Sequence, residues 1–157
     1  MAYTYAVRGW MELSWPDPEY EGVDESAEQH ADKVRRVRDL LTVSISSEEL
    51  QAEDAPLREK LKAGWGFPQN DLQGTEYIFF GSDVVENRGD MMDLIKEILA
   101  IDKFADGYFT LEGEDGKEYR QWLIISGKVY ARRELFPDFD QTEAPAGYAL
   151  VFDSAAS

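Results

Sequence analysis

His30 is the only histidine in the chain, and it is the first residue to test for catalysis or metal binding. A zinc site needs several His, Cys or carboxylate ligands, and the sequence has no cysteine to help complete one. A Ser–His–Asp triad would have to use His30, but no serine lies in a Gly-x-Ser-x-Gly elbow. We therefore expect His30 to be an exposed helical residue with the carboxylates of Glu28 and Asp32 as its neighbours.

Carboxylates are the abundant groups that could do chemistry, since the chain has 32 Asp and Glu residues. Acid/base or nucleophilic pairs work only at set distances in space, which sequence spacing does not define. Residues 83–94 place Asp83 and Asn87 as in a calcium loop but lack its glycine in register. An acid-only enzyme and a weak divalent-cation site stay open. Because no catalytic motif is found, we expect a protein that is not an enzyme and holds no cofactor.

Glycine-rich phosphate loops are the next motif to test. The sequence has neither G-x-x-x-x-G-K-[ST] nor G-x-G-x-x-G between a strand and a helix. The nearest candidate, "GWGF" at 64–67, has two interpretations. Its aromatic residues Trp65 and Phe67 either cap the core or contact a partner, as loop aromatics often do at binding hot spots.

Net charge limits the partners. The 16 Lys and Arg residues leave a formal charge of -16. Such a surface repels phosphate backbones and anionic membranes, and it attracts basic proteins and speeds their encounter. Solubility alone is the alternative reason for an acidic surface.

The acidic residues concentrate between Trp15 and Asp32, which include seven carboxylates and no Lys or Arg. Ser26 and Gln29 predict a helix capping box, which gives Glu28 a local role at a helix start. The earlier acids have no such role, and a second acidic stretch follows residue 133. The predicted partner-binding residues are Asp17, Glu19, Tyr20, Glu21, Asp24, Trp65, Phe67, Glu134, Asp138 and Asp140.

The elements that position these residues follow from the apolar periodicity. In the first half of the chain the expected elements are a strand at 3–15 with a bulge or bend at Gly9, a helix from Ser26 to Leu41, and a helix from Ser46 that breaks at 54–56 and resumes to a Gly64 cap. They are followed by a strand at 75–81 that is apolar on both faces and so expected to be central, and by a helix from about Asp90 to Ile101. The last part is expected to form a meander of strands at 107–112, 117–126 and 128–135 and an edge strand at 146–153.

Hairpins make neighbouring strands antiparallel, so this order predicts an α+β fold. The sheet is expected to be antiparallel or mixed, with about five strands ending in a three-stranded meander and two to three helices mainly on one face. We expect one domain over 1–153 and a frayed tail at 154–157. The N-terminus lacks the pattern of a signal peptide and no apolar run is long enough to span a bilayer, so a cytoplasmic protein is expected.

Three functional hypotheses fit these observations. The first is a small acidic binding protein of the inhibitor or immunity type, an antitoxin that neutralises a basic partner such as a nuclease-like toxin. The second is a DNA mimic whose carboxylates stand in for phosphates. The third is a small-molecule-binding domain, or the acid-only enzyme, with a pocket between helices and sheet.

Overall fold

The computed structural model of the protein describes residues 4–13, 18–22, 24–68, 76–85, 89–116, 118–133, 144, 147 and 149–153. Its elements are, in chain order, β1 Thr4–Leu13, α1 Pro18–Glu21, α2 Ala27–Leu41, α3 Ser47–Gln51, α4 Leu57–Lys62, β2 Trp65–Gly66, β3 Glu76–Val85, α5 Asp90–Ile101, β4 Asp106–Gly113, β5 Tyr119–Ile125 and β6 Lys128–Arg132. The α+β fold class is confirmed. The predicted tail at 154–157 lies outside the described residues.

The six strands form one open sheet in the order β2-β3-β1-β4-β5-β6, with every neighbouring pair antiparallel. The predicted meander is confirmed as β4, β5 and β6. The turn between β5 and β6 uses Ser126 and Gly127, which both have positive φ (46° and 75°), as a two-residue hairpin turn that follows the twist of the sheet requires. The sheet has one strand more than the five that were expected, and this additional strand is β2, which is only two residues long.

Helices α2, α4 and α5 pack on one face of this sheet and bury alternate residues of each long strand. On β1 these are Tyr5, Val7, Met11 and Leu13. Helix α2 begins at the predicted capping box, in which the Ser26 and Gln29 side chains each accept a hydrogen bond from the other residue's backbone N–H. Three of the helices supply the opposing core residues, which are Val34, Val37, Leu41, Leu61, Met91, Leu94, Ile95 and Ile98.

Gly9 is not at a bulge, and that expectation was wrong. Gly9 pairs in unbroken register with Phe80 of β3 and Phe109 of β4. A Cβ at position 9 would lie 2.4 Å from a ring carbon of Phe109 and 2.3 Å from the carbonyl oxygen of Tyr108. The glycine is therefore there because the Tyr108 carbonyl and the Phe109 ring both lie against the strand at this point.

The 75–81 strand is central as predicted, since β3 lies between β2 and β1. Its second apolar face is not covered, however: Tyr77 and Phe79 of β3 are 42% and 45% exposed, because helices α2, α4 and α5 pack on the opposite side of the sheet. The predicted edge strand at 146–153 was wrong for the part of that segment that is described, where residues 149–153 pair with no strand and are exposed. Among the helices of the described residues, none combines the length and apolar character needed to cross a bilayer.

Candidate functional site

The face of the sheet opposite the helices, which we call the open face, carries a row of large apolar side chains in direct register. Phe79 pairs with Trp10, Trp10 with Tyr108, Tyr108 with Leu123, and Leu123 with Tyr130. We call these five residues the apolar row. They cross five strands, which at the usual strand spacing of about 4.8 Å makes a row about 19 Å long.

The apolar row is accessible to solvent over much of its length. Leu123 and Tyr130 are 43% and 52% exposed, and Trp10 and Tyr108 are half-buried between their neighbours. The patch widens at one end, where Tyr77 stacks on Phe79 with ring centroids 6.2 Å apart. An exposed apolar patch of this kind on a protein marks an interaction surface more often than a lone exposed residue does.

An acidic pair borders the apolar row on one side. Glu12 of β1 lies directly opposite Asp106 of β4. Burial, and then the negative charge of Asp106, raises the pKa of the Glu12 carboxyl above its usual value. Asp106 also accepts a hydrogen bond of 2.8 Å from the backbone N–H of Ser126. Like charges opposite each other destabilise a sheet, so this pair would be relieved by a cation from another molecule.

A polar row borders the other side, formed in register by Arg8, Thr110, Gln121 and Arg132. Its two cations have partners within the protein. Arg8 lies 3.6 Å from a carboxylate oxygen of Glu112, and Arg132 Nε donates a hydrogen bond of 2.7 Å to Gln121 Oε1. The open face therefore presents an apolar centre, one border on which the Glu12 and Asp106 carboxylates are followed by the exposed Ile125 and Lys128, and one border whose arginines have partners within the protein.

The predicted partner-binding acids are only partly described. Asp17, Glu134, Asp138 and Asp140 lie outside the described residues. Glu19 is exposed on the short helix α1, and Asp24 is exposed in the segment before α2. The backbone of Tyr20 and Glu21 lies in α1, and their side chains are outside the description.

The two predicted aromatic anchors lie on the helical side of the sheet. Trp65 is only 8% exposed and packs edge-on against Phe80 and Phe109, with centroids 5.1 and 6.0 Å away. Phe67 is half-buried against the core, with the Arg38 guanidinium 6.0 Å from its ring centroid. This arrangement matches the interpretation in which the "GWGF" aromatics cap the core.

The expectation of an exposed His30 was wrong. His30 is 6% exposed, and its Nδ1 lies 3.2 Å from a carboxylate oxygen of Glu25. Lys33 is equally buried and its Nζ lies 3.0 Å from the same Glu25 oxygen and 3.5 Å from Asp102. Burial raises the pKa of Asp102 even though Lys33 opposes this effect. These four groups bind the segment before α2 to the end of α5, which is a structural role.

The sequence prediction missed the open face, although a signal for it was present. The patterns of β3 and β5 are apolar on both faces, while the helices were expected mainly on one face. Helices on a single side cannot cover both faces of such strands, so the combination implies exposed residues such as Phe79 and Leu123.

Comparisons with protein-family models, with curated proteins and with solved structures find no match to this chain. Within the described ranges, no three His, Asp or Glu side chains are grouped so that they could hold a metal ion. The arrangement on the open face is therefore the feature from which we argue function.

Proposed function

We propose that this protein is a binding protein that captures a basic protein partner on its open face. The observation that carries the proposal is the apolar row, in which Phe79, Trp10, Tyr108, Leu123 and Tyr130 lie in one register on the face opposite helices α2, α4 and α5. Interface centres are enriched in Tyr, Trp and Phe, which supply large contact area at small entropic cost.

Charge supports a basic partner over a second copy of this chain. Each copy has a formal charge of -16, so two copies repel each other. The acidic border formed by Glu12 and Asp106 suits a Lys or Arg beside an apolar patch on the partner. A single-stranded nucleic acid could stack on aromatic rings, but its phosphates would meet the same negative field.

The partner that we propose is a basic protein such as a nuclease-like toxin, and the protein acts as its inhibitor or immunity protein in the cytoplasm. An inhibitor needs no catalytic motif of its own. In this proposal the acids from Asp17 to Asp24 and from Glu134 to Asp140 steer the encounter, which affects the association rate, while the open face holds the complex and so affects dissociation.

Photo-crosslinking in the source cell tests where the partner binds. A photoreactive phenylalanine analogue replaces Leu123 on the open face, and a matched control carries it at Arg36, which is exposed on α2. We expect a basic protein crosslinked from position 123 and not from position 36. The purified partner is then titrated with the wild-type protein and with Leu123→Asp at several salt concentrations, to measure affinity and dissociation rate. The enzymatic activity of the partner is followed in the same titrations.

The proposal is supported if Leu123→Asp speeds dissociation, if salt weakens the complex, and if stoichiometric wild type inhibits the partner's activity. Crosslinking to a second copy, to nucleic acid or to an acidic protein would contradict it, as would an affinity independent of salt. A partner that duplex DNA displaces would identify the DNA-mimic alternative.

A further inference from the structure

The two edges of the sheet differ in length. At one edge β2 is only two residues long, and so short a strand offers little backbone for another chain to pair with. At the other edge β6 runs over Lys128–Arg132, and among the described residues it pairs with β5 alone. Lys128, Tyr130 and Ala131 of β6 are exposed. The β6 edge is therefore the longer place at which a further strand can add to the sheet.

The hairpin geometry shows which backbone groups of β6 face outwards. The two-residue turn before β6 is closed by Ile125 and Lys128, and from such a closing pair hydrogen-bonded and non-hydrogen-bonded pairs alternate along the ladder. Val129 and Ala131 fall in the non-hydrogen-bonded pairs, so their N–H and C=O groups point away from β5. Two such residues lie about 7 Å apart along a strand, which matches the backbone repeat of an extended chain. An extended segment is therefore the occupant that this edge fits.

Positive charge decides which extended segment fits best. On the open-face side of β6, Lys128 and Arg132 flank Tyr130 at a spacing of two residues, and the exposed Arg133 follows. Among the described residues, no carboxylate forms an ion pair with Lys128 or Arg133. Cations on an edge strand keep like-charged strands away, whereas opposite charges across two strands stabilise their pairing. The edge thus favours a segment with acids at the facing positions.

A second copy of this chain is a poor occupant of the edge. Antiparallel pairing of two β6 strands centred on Tyr130 would place Lys128 of one copy opposite Arg132 of the other, which are like charges. The net charge of -16 does not exclude an acidic segment, because at physiological salt charges farther apart than about 8 Å are largely screened. The cations of the edge lie on the strand next to an added segment, about 4.8 Å away along the hydrogen bonds.

We propose that β6 accepts an extended segment of another protein as a further strand, with acidic residues opposite Lys128 and Arg132 and an apolar residue opposite Tyr130. The apolar residue is β-branched or aromatic, since such side chains pair well with a tyrosine across two strands. The added strand lies beside β6 in the plane of the sheet and leaves the open face to the basic partner. This inference therefore does not rest on the proposed function.

Two peptides test the charge pattern. One is acetyl-Thr-Glu-Val-Ile-Val-Glu-Thr-amide, whose glutamates are spaced to face Lys128 and Arg132, and the other has lysine in place of both glutamates. Each is titrated into uniformly ¹⁵N-labelled protein, and the backbone amide signals are followed by NMR. We expect the glutamate peptide to bind at least about fivefold more tightly. The net charge of the chain by itself predicts the reverse order, so the two peptides separate the local charges from the overall field.

The amide signals also show how the peptide binds. Saturating glutamate peptide should shift the Val129 and Ala131 signals and slow their hydrogen exchange, because these outward N–H groups become hydrogen-bonded. The amides of Lys128 and Tyr130 should change less, since in this ladder they already point towards β5.

Two variants locate the added strand. Ala131→Pro removes an outward N–H and no hydrogen bond to β5, so it should abolish binding of the glutamate peptide while β5 and β6 stay paired. Lys128→Glu should weaken the glutamate peptide at least about fivefold. Its matched control, Lys96→Glu, makes the same charge change at an exposed position of α5 and should leave binding unchanged. The amide spectrum reports whether each variant is folded, and Lys128→Glu decides if Ala131→Pro is not.

Three results would overturn the proposal. They are equal or tighter binding of the lysine peptide, shifts that leave the Val129 and Ala131 amides unmoved, and unchanged binding in the folded edge variants. Sedimentation of the protein alone adds a fourth: a dimer that Ala131→Pro dissociates would mean that the edge is occupied by a second copy.

Discussion

The two faces of the sheet are built from the same strands and nearly the same residue types, yet they are in opposite environments. On β5, Ile124 is 1% exposed and its neighbour Leu123 is 43% exposed. On β3 the same contrast holds for Ile78 at 1% and Phe79 at 45%. Alternation along a strand assigns a residue to one face or the other, but whether that face is covered depends on where the helices pack.

This difference shows that apolar character alone does not identify a core. The covered face is stabilised by helices α2 and α5, whose apolar stripes match it. The open face leaves equally apolar side chains in water and adds two opposed carboxylates, which is unfavourable for the free protein. Such a face is expected where another molecule binds it and buries its apolar side chains.

The largest expected contrast between the faces comes from one substitution made on each. Phe109→Ala removes a fully buried ring and should lower the free energy of unfolding by about 3–5 kcal/mol. Phe79→Ala on the open face should lower it by about 1 kcal/mol or less. Urea unfolding followed by circular dichroism measures both. An equally large loss in Phe79→Ala would mean that the open face is covered in the free protein.

A second pair of substitutions probes the space above each face. Gly9→Ala places a methyl group into the Phe109 ring and should destabilise by about 1–3 kcal/mol. Gly81→Ala meets no atom within 4 Å and should change the stability by about 0.5 kcal/mol or less. Thermal unfolding of the two variants checks this order, and a tolerated Gly9→Ala would show that both the Phe109 ring and the Tyr108 carbonyl can move aside.

A buried carboxylate on the helical side, Glu59, should show a pH dependence of stability opposite in sign to that of Glu12 on the open face. The Ser44 hydroxyl and backbone N–H, and then Lys62, lower the pKa of Glu59 to about 2 from its usual 4.5. A lowered folded-state pKa stabilises the protein above about pH 4.5, and this contribution is lost as the pH falls towards 2. The stability difference between wild type and Glu59→Gln should therefore shrink over this range.

Urea unfolding between about pH 6 and pH 2, an interval that runs from above the usual pKa of 4.5 down to the lowered one, measures this difference. The matched control is Glu53→Gln, an exposed residue of the same segment, which should keep the wild-type profile. A difference between wild type and Glu59→Gln that stays constant with pH would show that Ser44 and Lys62 do not hold the ionised carboxylate.

Much of the fold could be predicted from local signals. The Ser26 capping box and the turn at Ser126 and Gly127 each fix a short segment, and alternation fixes the covered face of β1. The role of Gly9 could not be predicted, because it depends on Phe109, which is 100 positions away in the chain. The buried state of His30 was missed for the same reason, since Asp102 completes its charge network through space.

The candidate site was harder to predict than the fold. The sequence predicted the acidic loops and Trp65 as partner-binding residues, because clustered charges and loop aromatics are recognisable from neighbouring positions in the chain. The apolar row does not stand out, since its members come from five different strands and meet only when the sheet forms. Each of them has the ordinary pattern of a strand residue, and only the side on which the helices pack distinguishes Phe79 from Ile78.

The smallest expected effect bears most directly on function. Glu12→Gln removes one of two like charges placed opposite each other on the open face, so it should stabilise the free protein by about 0.2–1 kcal/mol at neutral pH. Because the pKa of Glu12 is raised, the residue does not destabilise the folded protein below the usual value of 4.5, and the destabilisation appears as the pH rises. The stability gained by Glu12→Gln at neutral pH should therefore vanish in acid.

Glu112→Gln is the matched control on the next strand. It should not stabilise the protein, since Glu112 pairs with Arg8 and accepts a hydrogen bond from Tyr119. A variant that is more stable yet binds the basic partner more weakly would show that Glu12 is present for binding. Unchanged stability would mean that Asp106 and Glu12 do not repel each other in the free protein, and the acidic border would then give no reason to expect a cation from the partner at that position.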